Sequence, residues 1–200
     1  NELKPKGDNS ADILKRNKKL TSNINSFFKN KEIPYKIIIN DISFRGSPSQ
    51  LFEVRVRDLI TKTEVSLTDT GYGLSQFLNF IILLFLNQNK MILKQEVESN
   101  LHPKWQIIIA EALVEMINIE MEIGNPLQSS IVETHSEHIV LKLKQLVKNN
   151  KIHHDLIAIY YVYKDKKDSS SKIQKIRISE NGNFIDKWVH DFFPERLDLI

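Results

Sequence analysis

Apolar residues alternate with polar ones from Tyr35 to Asp69 and arrive in longer blocks after it, and this change of period constrains the fold more than any other feature of the chain. Before Asp69, "YKIIIND", "LFEVRVRD" and "TEVSLT" follow a two-residue period, separated by "RGSPSQ" and "LITK", and so predict antiparallel strands in a small β unit. After it, the pattern predicts a helix over Leu74 to Asn87, a strand over Lys90 to Gln95, a helix over Pro103 to Glu122, a strand over Ser129 to Glu133 and a helix over Ser136 to Asn149. Strands alternating with helices imply parallel pairing through crossover helices, an α/β arrangement with a mainly parallel sheet.

Upstream, residues 11 to 29 place Ile13, Leu14, Leu20, Ile24, Phe27 and Phe28 at a loosely helical spacing, with Asn9 or Ser10 as the cap and Thr21 as a point of interruption. Downstream, "LIAIYYVYK", "KIQKIRIS" and "NFIDKW" are strands; "DKKDSSS" and "ENGN" are turns, and the second and third strands form a hairpin. The organisation expected is 1–69 as helix plus antiparallel strands, 70–163 as an α/β unit and 164–200 as hairpin and tail. The 200 residues, 41% of them hydrophobic, suffice for one buried core.

No cysteine is present, which excludes disulfides and thiolate metal sites and suits a reducing compartment, the cytoplasm by default. The longest apolar run, Phe77 to Leu86, is broken by Asn79 and is too short for a bilayer, so no membrane partner is expected. A net charge of +3 does not by itself argue for nucleic acid. Lys4, Lys6, Lys15, Arg16, Lys18, Lys19, Lys29 and Lys31 nevertheless crowd the first stretch, as a solvated face or as a DNA-facing one.

Three polar blocks sit where strands or loops meet helices. "DTGYGLSQFLNF" puts Gly71 and Gly73 before a helix whose first turn carries Ser75 and Gln76, where free N–H groups could meet an anion. "ILKQEVESNLHP" ends an apolar strand with Gln95, Glu96 and Glu98, with Pro103 at the tolerated first position of the next helix. Carboxylates there either solvate the loop or orient water or magnesium beside a phosphate. "ETHSEH" ends another strand with Glu133, Thr134 and His135, and Ser136 is placed to cap the following helix. His135 and His138 stand three apart and, with His102, raise the question of zinc, but the HExxH spacing is missing and no metal site is expected. A metal-dependent nuclease using His102, His135, Glu133 and Glu98 is a remote alternative.

In this order, the blocks resemble the signature motif, the Walker B strand with its D-loop, and the switch histidine of ABC-type ATPases. "GYGLSQ", "QEVESNLHP", "ETHSEH" and "DFFPER" are similar to a bacterial branch related to the overcoming-lysogenization-defect group and to anti-phage defence ATPases, from about Leu20 onward. The resemblance implies a partial P-loop NTPase fold of ABC type, with ATP and magnesium as cofactors. It places Glu96 as the carboxylate that polarises the attacking water and His135 at the γ-phosphate. Gly73, Ser75 and Gln76 would act on the ATP of the opposite protomer of a homodimer, with Gln95, Glu98 and His102 lining the nucleotide site. A DNA or nuclease partner is also implied.

Two departures stand out: Gln95 occupies the place of a magnesium-holding acid, and Val97 that of a proline. A larger one is the phosphate-cradling G-x-x-x-x-G-K-[ST]. The six glycines are followed by Asp8, Ser47, Tyr72, Leu74, Asn125 and Asn183, never by lysine. Since the chain also starts at Asn1 rather than Met, the expectation is the C-terminal part of a longer ATPase whose N-terminal segment anchors the nucleotide. Alternatively, the frame is degenerate and serves partner or nucleic-acid binding.

Overall fold

The computed structural model describes residues 10–42, 51–86, 91–122, 124, 129–165 and 168–188. The "RGSPSQ" turn, the "DFFPER" tail and the lysines at 4 and 6 lie outside them.

The N-terminal helical stretch is two helices, α1 (Ser10–Arg16) and α2 (Lys18–Asn30). The interruption falls at Asn17 rather than Thr21, because the Asn17 side chain accepts the Leu20 N–H at 2.9 Å and so caps α2. Ser10 Oγ donates to Asn79 Oδ1 at 2.6 Å. On α2, Asn25 grips the Ile37 backbone from both sides, Nδ2 donating to its carbonyl at 3.0 Å and Oδ1 accepting from its N–H at 2.8 Å. This fixes the register of the β unit against the helix. That unit is β1 (Tyr35–Ile42), β2 (Leu51–Asp58) and β3 (Glu64–Ser66), antiparallel and in chain order as expected.

A 3-10 turn over Leu67–Asp69 leads into α3 (Tyr72–Leu86), which buries Phe77, Leu78, Phe80, Ile81, Ile82 and Leu84. Each such side chain stabilises by about 1.5–3 kcal/mol relative to exposure, so α3 is the axis of the core. Around it, the Phe28 and Phe77 rings stand 6.0 Å apart, and Trp105 packs 4.9 Å from Phe77 and 6.1 Å from Tyr35, a packing role as the apolar neighbours of this tryptophan predict.

Strand β4 (Ile92–Lys94), helix α4 (Pro103–Glu122), strand β5 (Ser130–Val132) and helix α5 (Glu137–Lys148) follow in the expected order. The strands pair in parallel with Leu93 opposite Ile131. Among the described residues parallel pairing stops at these two strands, so the mainly parallel sheet expected is reduced to one pair, accompanied by a three-stranded and a two-stranded antiparallel sheet. Only one face of the pair is filled. Ile92 is 3% exposed, whereas Leu93 and Ile131 are 69% and 60% exposed.

The tail also differs in pairing. β6 (Ile159–Lys164) and β7 (Ser171–Ile176), the first and second predicted strands, form an antiparallel hairpin over six residues, so the predicted turn residue Ser171 belongs to strand β7. The third contributes a single bridge, Ile178 to Phe184. At the turn between them Gly182 has φ +71, and a Cβ there would sit 2.7 Å from the Lys144 carbonyl oxygen. The "ENGN" turn closes a short hairpin as predicted, with Ser179 N donating to the Asn183 carbonyl at 2.8 Å and Ile185 N to the Arg177 carbonyl at 3.0 Å, and at Gly182 it also packs on α5. Trp188 packs 5.5 Å from Tyr161 and 5.4 Å from Phe184. Among the described residues no helix is long and apolar enough to cross a membrane.

Candidate functional site

The parallel register brings two predicted loops together. Beyond the last paired residues, Lys94 and Val132, the Glu133 N–H donates to the Lys94 carbonyl at 2.9 Å. Gln95 and Glu96 thus leave β4 beside the point where Glu133, Thr134 and His135 leave β5, both at carboxyl ends, where open α/β sheets bind ligands. Gln95, Glu96 and His135 are all exposed there.

Glu96 takes φ +44, a left-handed conformation in a residue with a side chain. Such backbone costs on the order of 1–3 kcal/mol and is concentrated at functional sites. It starts two overlapping turns in which the Glu96 carbonyl accepts from Ser99 N and the Glu98 carbonyl from Leu101 N, each at 3.0 Å. Val97, in the position where the resemblance has proline, points inward and is 4% exposed. Its apolar bulk fastens the loop to the core. Asn100 closes the turn at φ +61, a conformation asparagine tolerates.

Glu98 reaches the neighbouring loop. Its Oε2 accepts from Thr134 Oγ1 at 2.7 Å and its Oε1 from the His135 backbone N–H at 2.6 Å. Thr134 Oγ1 in turn accepts the Ser136 N–H at 3.0 Å. Ser136, 5% exposed, caps α5 by accepting the Ile139 N–H at 3.1 Å, as its position predicts. Its hydroxyl donates to Gln106 Oε1 at 2.6 Å, and Gln106 Nε2 donates to the Leu101 carbonyl at 2.8 Å. Two polar bridges therefore tie the 97–101 turn to the His135 loop, one through Glu98 and one through Gln106.

The first block meets the same turn from the other side. A Cβ on Gly73 would lie 2.5 Å from the Asn100 carbonyl oxygen, so only glycine lets α3 begin this close. Ser75 is half-buried, its Oγ 2.9 Å from Thr70 Oγ1, while Thr70 Oγ1 donates to the Leu67 carbonyl at 2.7 Å. Gln76 is half-buried on the second turn of α3, because the helix begins at Tyr72, two residues before the predicted Leu74. His102 precedes Pro103, its carbonyl accepting from Trp105 N at 2.8 Å and its Nδ1 from Lys104 N at 3.2 Å, a helix-capping arrangement.

Between the antiparallel sheet, the glycine turn and His102 lies a cleft of about 460 Å³, walled by Tyr35, Val56, Gly71, Gly73, His102 and Trp105 among others. Gly73 and His102 reach it; Glu96 and His135 stand outside it, at the strand ends. This cleft is not legible in the sequence, since its walls come from Tyr35, from Val56 to Leu74 and from Asn100 to Trp105, nor are the roles of Thr134 and Gln106, whose bonds are long-range. The donor set at the β4 end is one amide and one exposed carboxylate. Magnesium is typically held by one or two carboxylates plus phosphate oxygens, so Glu96 fits such an ion and Gln95 contributes at most an amide oxygen.

His102, His135 and His138 do not cluster as metal ligands; among the described residues the one set of donor atoms lying within 4.8 Å of one another is His153, His154 and Asp155, at the turn before β6. The Asp155 carboxylate stands 3.7 Å from His153 Nδ1 and 3.4 Å from His154 Nε2.

The sequence profile described as AAA ATPase domain matches residues 1–140. No curated protein matches the sequence. Among solved structures, one described under ATP-driven dimerization and DNA-stimulated activation of SMC ATPases aligns at a TM-score of 0.54 and 11% identity, covering 84% of this chain and 89% of that one. An SmcHead bound to the C-winged helix domain of ScpA aligns at 0.58 and 11% identity, covering 84% of this chain and 45% of its own. The Smc head domain of Pyrococcus yayanosii, with its coiled coil and joint, aligns at 0.51 and 14% identity, covering 86% of this chain and 29% of its own. The chain thus spans less than half of the latter two. At such identities the likeness concerns fold alone, an α/β frame shared with SMC ATPase heads.

Proposed function

The chain belongs to the AAA ATPase domain family, and on that premise we propose that it is the C-terminal part of an ABC-type ATPase that binds and hydrolyses ATP between two copies of itself. The observation that carries this reading is the adjacency of the Glu96 and His135 loops at the carboxyl ends of the parallel pair β4 and β5. Glu96 takes the proton of the attacking water, and His135 donates to the γ-phosphate as charge develops on it. Magnesium supplies neutralising charge to the phosphates when bound. Ser75, Gly73 and Gln76, at the positive end of α3, face the nucleotide of the second copy.

Nucleotide anchoring falls to a segment with a G-x-x-x-x-G-K-[ST] loop, a motif these 200 residues lack. The open face of β4 and β5 supports this assignment, because parallel strands are ordinarily covered on both sides and Leu93 and Ile131 are not. The similarity of "GYGLSQ", "QEVESNLHP" and "ETHSEH" to anti-phage ATPases supports a cytoplasmic, DNA-related or defensive role, with DNA or a nuclease as partner.

Replacing Glu96 by Gln in the protein that includes the phosphate loop is the direct test. ATP binding should persist while turnover drops by about a hundredfold or more. Undiminished hydrolysis would refute the assignment. Gln95 favours one competing reading, a non-hydrolysing module for partner or nucleic-acid binding. Under that reading, replacing Glu96 and His135 together by Ala would leave the biological activity unchanged.

A further inference from the structure

We infer that Glu98 is a positioning residue, a strut that sets the His135 loop against the β4 end; its consequence for turnover rests on the ATPase reading above. Two carboxylates leave β4 within three residues and have different surroundings. Glu96 is exposed, on left-handed backbone. Glu98 is half-buried, and each of its oxygens already accepts a hydrogen bond, from Thr134 Oγ1 at 2.7 Å and from His135 N at 2.6 Å.

A bond from a neutral donor to an ionised acceptor is shorter and roughly twice as strong as a neutral pair. Two of them to consecutive residues remove both the sliding and the rotation of the His135 backbone. Thr134 carries the restraint onward, since its Oγ1 accepts the Ser136 N–H at 3.0 Å and Ser136 is the buried cap of α5. On its other side the Glu98 turn is pinned by the contact of Asn100 with Gly73. The strut therefore has a fixed base. An imidazole displaced by about 1 Å from its phosphate loses on the order of a hundredfold in rate, so a carboxylate that never touches ATP sets how well His135 works. Glu98 is then a support for the His135 loop rather than a group lining the nucleotide site, the place the resemblance gives it.

The test has two arms. In the 200-residue protein, amide hydrogen exchange at His135 is followed by nuclear magnetic resonance in Glu98→Ala, Glu98→Asp and Thr134→Val, with Ile109 in the core as a folding control. Exchange at His135 should accelerate about tenfold or more in Glu98→Ala, with Ile109 unchanged. Glu98→Asp should behave similarly, because the charge remains but falls one methylene short. Thr134→Val should show a smaller effect. In the protein completed with its phosphate loop, Glu98→Gln should lower kcat about tenfold or more and leave KM for Mg-ATP within about twofold.

Unchanged exchange at His135 in Glu98→Ala would overturn the strut, as would full activity in Glu98→Asp. A rise in KM at constant kcat would also overturn it, by making Glu98 a metal ligand. Absence of turnover in the unmodified completed protein counts against the ATPase reading instead, and the exchange arm decides the strut without it.

Discussion

Gly73 and the carbonyl of Asn100 meet so closely that a single methyl group would separate them: a Cβ on Gly73 would stand 2.5 Å from the Asn100 oxygen, with the Leu101 side chain 3.7 Å away. Gly71, two residues earlier, has nothing within 4 Å of its equivalent position. Gly73→Ala should therefore push the start of α3 away from the 97–101 turn, at about 1–3 kcal/mol of stability. Gly71→Ala should stay within about 0.5 kcal/mol. Urea denaturation of both variants decides the matter, and equal midpoints would mean that the turn yields without cost.

This contact also marks where sequence reasoning ends. The period change at Asp69, the fully apolar face of α3 and the Ser136 cap are local properties, so each can be read from a window of residues. Asn17 is as local, but one more polar residue in a lysine-rich run gives no sign that it accepts a helix N–H. The turn at Gly182 closes its hairpin and also docks on α5, a tertiary contact that no local window shows. Glu98 lies 36 residues from Thr134 and 37 from His135, and no spacing rule connects them. The order of the blocks made the neighbourhood of Glu96 and His135 readable, whereas the bonds that hold it together required coordinates.

A second set of charges makes stability depend on pH. Lys31 at the end of α2 reaches Glu111 and Glu115 on α4, both at 3.2 Å, and Lys142 on α5 reaches Glu111 at 2.7 Å. Burial pushes the Glu111 carboxyl up, but hydrogen bonds from Lys142 and Lys31 outweigh it and hold the group below its ordinary 4.5. Burial likewise lowers Lys31, and its bonds to Glu111 and Glu115 raise it above 10.5. The unfolded chain titrates Glu111 at the ordinary value, so its contribution is complete above 4.5 and fades as pH falls through the lower folded value. The contribution of Lys31 is present below 10.5 and is lost as pH rises through its higher folded value. Glu111→Gln should cost about 1 kcal/mol near neutrality and lose less stability than the parent on acidification. Thermal melts from neutral pH down to about pH 3 would report it, and parallel curves for the two proteins would count against this contribution of Glu111.

The two faces of the β4–β5 pair should respond oppositely to mutation. Ile92, 3% exposed, fills the core side, and Ile92→Ala should cost about 2–5 kcal/mol. Leu93, 69% exposed, faces outward with Ile131 opposite it, so Leu93→Ser and Ile131→Ser should each change the stability of the 200-residue chain by no more than about 0.5 kcal/mol. If a phosphate-loop segment covers that face, the same two changes together remove buried apolar area from its contact, and its affinity should fall about tenfold or more. Calorimetric titration of the segment into each variant measures this directly. A double variant that binds as tightly as the parent would show that the segment lies elsewhere, leaving the exposed leucine and isoleucine without the role assigned to them.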